Sequence, residues 1–349
     1  APGGPARPVW HAVHPPIIPS IPRAGAPGVS FLPVALPDRV LVTGGAGFIG
    51  ANLVRGLLRR APGARVTALD DLSCGRRENL AGTGVPLVER DLADPAVMDA
   101  WPDRAFDLVF HLGAITDTTF ADADRMRAVN AAGTRHVLSW AARHGVPVVW
   151  ASSAAVYGIT DRPCGEEDPV RPANPYAASK AEAEQIARSF FGKAPRVAAL
   201  RYFNVYGPGE GHKGTAESMV GRLLRQMRAG GPPRIFKHGE QRRDFIHVDD
   251  VVEATIRAAA VPRDGVSRDG APRNGVWNVG AGAAPSFNEV ISFLNAALGT
   301  AQAPEYFDCP YGFYQSFTQA RMERARRDLG LSPTLPLEEG VRRLAAAGG

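Results

Sequence analysis

From Arg39 onward, short apolar runs rich in β-branched residues alternate with longer stretches whose apolar positions recur every three or four residues. The first pattern predicts strands at Val40–Thr43, Arg65–Leu69, Leu87–Arg90, Leu108–Phe110, Pro147–Ala151 and Val197–Leu200. The second predicts helices from about Phe48 to Arg60, from about Asp122 to His144, and from Tyr176 onward. Strands that read as apolar throughout and are separated by helices belong to a parallel sheet covered on both faces. The first two hundred residues therefore predict a doubly wound α/β domain.

After about Asn204 the elements shorten and the loops lengthen, as in a second, smaller lobe of mixed α/β structure. Phe245–Ala260 and Val276–Gly280 read as segments that return to the first lobe. The expected division is an extension over 1–38, a first domain over 39–205, and a second mainly over 206–349, with parts of 239–285 returning. Arg-Asp-Gly and Arg-Asn-Gly turns mark Val261–Gly275 as a solvated loop. A chain of 349 residues has room for two lobes and a cleft between them.

Residues 1–38 hold ten of the 30 prolines and show no helical period, so they predict an extended or polyproline-like segment. No basic start, apolar centre and small-residue cleavage site can be made out there, and no run approaches the ~20 apolar residues that span a bilayer. Hydrophobic residues at 45% and charged residues at 21% exclude collagen-like, wholly disordered and many-spanning membrane classes. The net charge of +5 favours anionic partners, but the basic residues are scattered, so a small phosphorylated molecule suits them better than nucleic acid. Cys74, Cys164 and Cys309 are odd in number and far apart, which predicts reduced thiols in a cytoplasm, with no disulfide framework and no metal site. Only four basic residues are lysines, and lysine, unlike arginine, can act as an acid or base.

The chemistry sits at three places. Gly44-Gly45-Ala46-Gly47-Phe48-Ile49-Gly50 follows a strand and opens a helix, with Gly44, Gly47 and Gly50 where a tight turn, an approaching pyrophosphate and close helix packing exclude a Cβ. Asp70 stands twenty residues beyond Gly50, where a carboxylate can accept hydrogen bonds from an adenosine ribose, and this context makes the fold Rossmann-type. Asp91 ends the third strand, either as an adenine contact or as a turn residue, and Gly113-Ala114 leaves room after the fourth strand. Ser153 closes the fifth strand. Tyr176 and Lys180 are one turn apart on a helix, so an ammonium can lower the phenol's pKa and Ser153 can hydrogen-bond the same substrate oxygen. That set suits alcohol oxidation beside a nicotinamide ring.

Together these motifs resemble the extended short-chain dehydrogenase/reductases that act on nucleotide sugars, over Arg39 to about Ala345. Members that dehydrate or decarboxylate sugars carry acidic residues just after the serine, whereas Ala154-Ala155 stands here. Glu210-Gly-His-Lys-Gly214 and Tyr314-Gln-Ser-Phe-Thr-Gln-Ala320 are similar to the branch that epimerises an ADP-heptose at C6. The resemblance implies an ADP-sugar substrate and a tightly bound NAD or NADP, which would make the chain an isomerase working through transient oxidation. It implies cofactor contacts from Gly44, Gly47, Phe48, Ile49, Gly50, Asp70, Asp71, Arg77, Asp91, Gly113, Ala114, Asn130, Tyr176 and Lys180. Two carboxylates, Asp70 and Asp71, favour NAD over NADP, while Arg76 and Arg77 pull the other way.

In the same resemblance the catalytic set is Ser153, Tyr176, Lys180 and Lys213, with Lys213 as the second acid/base opposite the tyrosine. A solvated loop lysine or a phosphate contact are its other readings. Substrate contacts are implied for Asn204, Thr215, Arg222, Phe236, Arg243 and Tyr314. Taken alone, Asn204 also suits a turn, Arg243 a surface ion pair and Tyr314 simple packing. A homo-oligomer with no nucleic-acid or membrane partner is expected. Another nucleotide-sugar epimerase, such as a hexose 4-epimerase, and more remotely a cofactor sensor without turnover, remain the alternatives.

Overall fold

The computed structural model describes residues 36–259, 274–309 and 314–347. The predicted extension, as far as residue 35, and most of the loop predicted at 261–275 lie outside them. The chain runs β1 (Arg39–Thr43), α1 (Phe48–Arg60), β2 (Arg65–Asp70), β3 (Leu87–Glu89), β4 (Leu108–His111), α2 (Ala123–Arg127), α3 (Gly133–His144), β5 (Val148–Ser153), α4 (Pro175–Ser189) and β6 (Val197–Tyr202). It continues through β7 (Asn204–Tyr206), α5 (Met219–Arg228), β8 (Arg234–Phe236), β9 (Phe245–His247), α6 (Val248–Ala259), β10 (Gly275–Val279), α7 (Phe287–Leu298), β11 (Glu305–Phe307), α8 (Glu323–Leu329) and α9 (Leu337–Ala346).

Seven strands pair in parallel in the order β10-β6-β5-β4-β1-β2-β3. Alternation within each strand explains why the sheet is covered on both sides. Val40, Val42, Leu108, Phe110, Val149 and Ala151 face one buried cluster, with Leu53, Val54 and Leu57 of α1 and Val251 and Ile256 of α6. Leu41, Val109, Val148 and Trp150 face the other, with Val137 and Leu138 of α3 and Ala183 and Ile186 of α4. The strand order reverses between β1 and β4, which opens a crevice at the carboxyl edge of the sheet. The doubly wound Rossmann-type fold read from the sequence is thus the observed one.

A smaller assembly lies beyond β6. Strands β7 and β9 pair with each other, as do β8 and β11, and α5, α7 and α9 close around Tyr206, Leu223, Phe245, Phe287, Leu294 and Val341. Strand β10 joins the large sheet beside β6. Among the described residues no helix is long and apolar enough to cross a membrane.

Two local departures from the predicted elements bear on the site. The helix expected over Asp122–His144 contains a π-helical turn at Ala128–Ala132, which carries Asn130. Helix α4 starts at Pro175, where a missing N–H costs nothing, and the Asn174 side chain accepts the Ala177 N–H at 2.8 Å. That cap fixes the first turn, on which Tyr176 sits.

A buried polar network ties α4 to the sheet. The Arg201 guanidinium of β6, 1% exposed, donates to both oxygens of Glu184 on α4, at 2.6 and 3.0 Å. It also donates to the Tyr157 hydroxyl at 2.8 Å, which in turn donates to Asn278 of β10 at 2.6 Å. Ser152, at the end of β5, donates to Glu184 at 3.2 Å. Removing one partner of such a pair leaves a buried charge uncompensated, which typically costs about 3–5 kcal/mol. Glu184→Ala should therefore lower the urea midpoint by that order of stability, and a loss below about 1 kcal/mol would show that the pair contributes little.

Candidate active site

The crevice forms a cavity of about 630 Å³. At one end the backbone leaves β1 through Gly44 with φ +67°, and a Cβ there would stand 2.6 Å from the Gly113 amide nitrogen on the loop leaving β4. A Cβ at Gly50 would run into the Gly44 carbonyl oxygen. Helix α1 begins at Phe48 with no side-chain cap and no acidic residue in its first turn. Its leading N–H groups and the positive end of its dipole therefore suit a pyrophosphate. Gly44, Gly47, Phe48, Ile49, Gly50, Gly113 and Ala114 all line the cavity.

Asp70, at the end of β2, also lines it, and it holds the glycine loop. Its carboxylate accepts the Ala46 N–H at 3.0 Å and the Leu72 N–H at 2.9 Å. Burial pushes the carboxyl upward, against the pull of those two bonds. Asp71 accepts from Ser73 and lies 3.5 Å from the Arg125 guanidinium, which also pairs with Asp91 at 2.7 Å. Asp91 is thereby turned toward Arg125 and does not line the cavity, and Arg77 is paired with Glu89. Of the two adjacent arginines it is Arg76 that faces the cavity.

The chemical groups stand deeper. Tyr176 and Ser153 line the cavity together; burial raises the phenol's pKa and its hydrogen bond with Ser153 lowers it. Lys180 is wholly buried, donates to the Ala151 carbonyl at 2.8 Å, and is held at about 7 by burial. Its ammonium is thus engaged by backbone, and the downward pull on the phenol comes from Ser153, a division of labour that four-residue spacing does not reveal. Asn130 exchanges two hydrogen bonds with the backbone of Ile115, at 2.8 and 2.9 Å, and donates to Ser179 at 2.9 Å. It pins the cavity-lining loop after β4 to α4 and does not itself line the cavity.

On the far side, Asn204, Lys213, Phe236, Arg243 and Tyr314 line the same cavity. Burial lowers the Lys213 pKa, with Glu210 and Glu217 pulling the other way, and its Nζ lies 5.5 Å from the centre of the Phe48 ring. The Arg243 guanidinium lies 5.3 Å from the Tyr314 ring centre, and Phe236 meets Tyr314 edge-on at 5.5 Å. Thr215 and Arg222 lie elsewhere: Arg222 donates to the Thr215 carbonyl, and both border a shallow depression with Arg225 and Gln226.

Two residues that sequence reasoning passed over organise this side. Asp244, fully buried, accepts the N–H groups of Ala281 at 2.6 Å, Gly282 at 3.0 Å and Ala320 at 2.9 Å. Glu210 accepts from Gly207 and twice from Ser218, closing the loop that carries Lys213. Neither stands out in sequence, because a carboxylate that bonds backbone amides, and for Glu210 also the Ser218 hydroxyl, leaves no spacing signal.

Residues 40–280 match the NAD dependent epimerase/dehydratase family. The chain belongs to that family. This family member is 34% identical over 333 residues to an ADP-L-glycero-D-manno-heptose-6-epimerase of Alkalilimnicola ehrlichii, covering 87% of this chain and 95% of the relative. Its fold is similar to that of the Helicobacter pylori ADP-L-glycero-D-manno-heptose-6-epimerase, with a TM-score of 0.81, 32% identity, and 89% and 96% of the two chains covered. It is also similar to MoeE5 solved with UDP-glucuronic acid and NAD, with a TM-score of 0.75, 34% identity, and 88% and 98% covered. The family is NAD-dependent, and the glycine loop, the bare start of α1 and Asp70 fit that dinucleotide. With relatives named as epimerases, this family member falls in the isomerase class of enzymes.

Gly44 combines a left-handed backbone with a contact that no side chain can share. Gly44→Val should give a protein that retains less than about a tenth of the dinucleotide released by the wild type on denaturation, since strain of roughly 1–3 kcal/mol adds to the clash. Full retention would show that the turn is not needed for the cofactor.

Proposed function

We propose that the protein interconverts the two C6 epimers of an ADP-glycero-manno-heptose through a transient ketone. The observation that carries this reading is that Tyr176 and Lys213, from separate elements, line one cavity together with the glycine loop. One fixed base cannot serve both orientations of a carbinol equally well, whereas two can. The identity shared with heptose epimerases over most of both chains supports the choice of sugar and nucleotide.

When bound, NAD supplies reversible acceptance of hydride, so no external redox partner is needed. In one direction the Lys213 amine takes the carbinol proton at Nζ and the Tyr176 hydroxyl gives a proton to the ketone oxygen; in the other the Tyr176 phenolate takes the proton and the Lys213 ammonium gives it. Ser153 hydrogen-bonds the reacting oxygen, and burial keeps the Lys213 amine closer to neutrality than a solvated lysine. Lys180 and Asp70 hold the ribose groups, and Asn204, Phe236, Arg243 and Tyr314 hold the sugar nucleotide, with Arg243 suited to the diphosphate. Ala154-Ala155 leaves no carboxylate after Ser153 to remove water from the ring. We assign residues 39–205 chiefly to the dinucleotide and 206–349 chiefly to the sugar. The cytoplasm is the compartment in keeping with cysteines that form no disulfide framework, such as Cys74 and Cys164.

A UDP-sugar epimerase is the second reading, favoured by the equal 34% identity to a structure that holds UDP-glucuronic acid. Assays of ADP-heptose beside UDP-hexoses and UDP-hexuronates separate the two.

Tyr176→Phe should lower turnover by about 10²–10⁴-fold while bound dinucleotide is retained, as expected for loss of an acid/base. A variant that keeps more than about a tenth of the wild-type rate removes the tyrosine from the chemistry. Lys213→Met should do the same with little change in the Michaelis constant, whereas a phosphate-binding lysine would raise that constant and spare the maximal rate.

Epimerisation in heavy water checks the route independently. The product should carry no deuterium at C6, and substantial label there would mean that carbon is deprotonated.

A further inference from the structure

Lys213 stands in a loop whose neighbours face the cofactor side of the cavity. At its base, Asn52 of α1 donates to the Pro208 carbonyl at 3.0 Å. At its tip, His212 lies between two backbone-linked partners. The His212 Nδ1 is 3.1 Å from the Gly209 carbonyl, which can only accept, so Nδ1 carries the hydrogen. The Asn79 amide nitrogen lies almost equally close to both ring nitrogens, 3.3 Å from Nδ1 and 3.4 Å from Nε2, so it meets the face of the ring. The second amide hydrogen of Asn79 goes to the Ala46 carbonyl at 2.7 Å, inside the glycine loop. Ala46 is itself fixed, through its N–H by Asp70 at 3.0 Å and through its carbonyl by the Arg76 N–H at 3.0 Å.

From this chain of contacts we propose that His212 and Asn79 form a positioning pair that suspends the Lys213 loop from the glycine loop. The proposal rests on Lys213 being the second acid/base. His212 is a positioning residue: Nδ1 is tied to the Gly209 carbonyl and the ring rests against the Asn79 amide. Burial, Lys213 and Arg76 all hold its pKa below the ordinary value, which preserves the neutral ring that the Asn79 contact requires. A protonated ring would repel the amide hydrogens of Asn79. The same suspension keeps the Lys213 amine against Phe48 and out of water.

The test uses the purified holoenzyme with its bound NAD. His212→Ala and Asn79→Ala should each lower kcat on ADP-heptose about tenfold or more, since small displacements of a reacting group carry costs of that size. Dinucleotide content and KM should stay at wild-type values. The double variant should be no worse than either single one, as expected for residues acting through one link. His212→Gln, whose side-chain oxygen can accept from Asn79, should recover most of the rate.

A second readout needs no substrate. The pH dependence of acetic anhydride labelling, followed at Lys213 by mass spectrometry, should move upward in both alanine variants as the amine becomes hydrated, and should stay in place in His212→Gln. Unchanged labelling together with unchanged kcat in both alanine variants overturns the proposal. Normal turnover in Lys213→Met overturns the acid/base reading instead, and the labelling result then still reports whether the loop is suspended.

Discussion

Strands that all run in one direction finish along one edge, and most of what this protein brings together follows from that geometry. Asp70 closes β2, Ser153 closes β5, and the segment after β6 delivers Asn204, so groups more than a hundred residues apart in sequence arrive at the same crevice. Burial of both sheet faces fixes the register that makes this possible, because a one-residue slip would exchange the two apolar clusters. The Arg201 and Glu184 pair adds a polar constraint, holding the helix with Tyr176 and Lys180 against the strand that presents Ser153.

How much of this can be read from sequence depends on whether a residue acts through its spacing or through a contact made in three dimensions. The strands, the glycine turn and the Tyr176 and Lys180 helix announce themselves by period, and they appear where the pattern puts them. Asp91 and Arg77 show the limit. Each has the right charge at the right distance along the chain, but Arg125 and Glu89, chosen by the fold, take up those charges outside the cavity. Asn130 falls between the cases: its place opposite the site is legible, but the π-helical turn that aims it at Ile115 and Ser179 is not. Thr215 and Arg222 show a finer limit: they border a separate depression, although Ala216, Glu217, Ser218 and Met219 between them line the cavity.

Dielectric shielding gives the titratable groups of the cavity their character. Tyr176, Lys180 and Lys213 are each shifted chiefly by burial, which favours the neutral form of every one of them. Neutral Lys213 can accept a proton and neutral Tyr176 can give one, so together they can exchange protons with a substrate hydroxyl. In a chain where arginine has replaced lysine almost everywhere, two of four lysines persist here. Arginine in their place would hold its proton throughout.

Asp244 gives the wall that carries Arg243 a particular mechanical character. By collecting amides from Ala281, Gly282 and Ala320 it welds the turn after β10 and the strap bearing Gln315 to β9, with Arg243 as its own sequence neighbour. A wall joined in this way yields as a unit or hardly at all. A change in what the cavity accepts would then proceed by exchanging side chains that line it, as at Phe236 and Tyr314, and not by loosening the loops joined through Asp244.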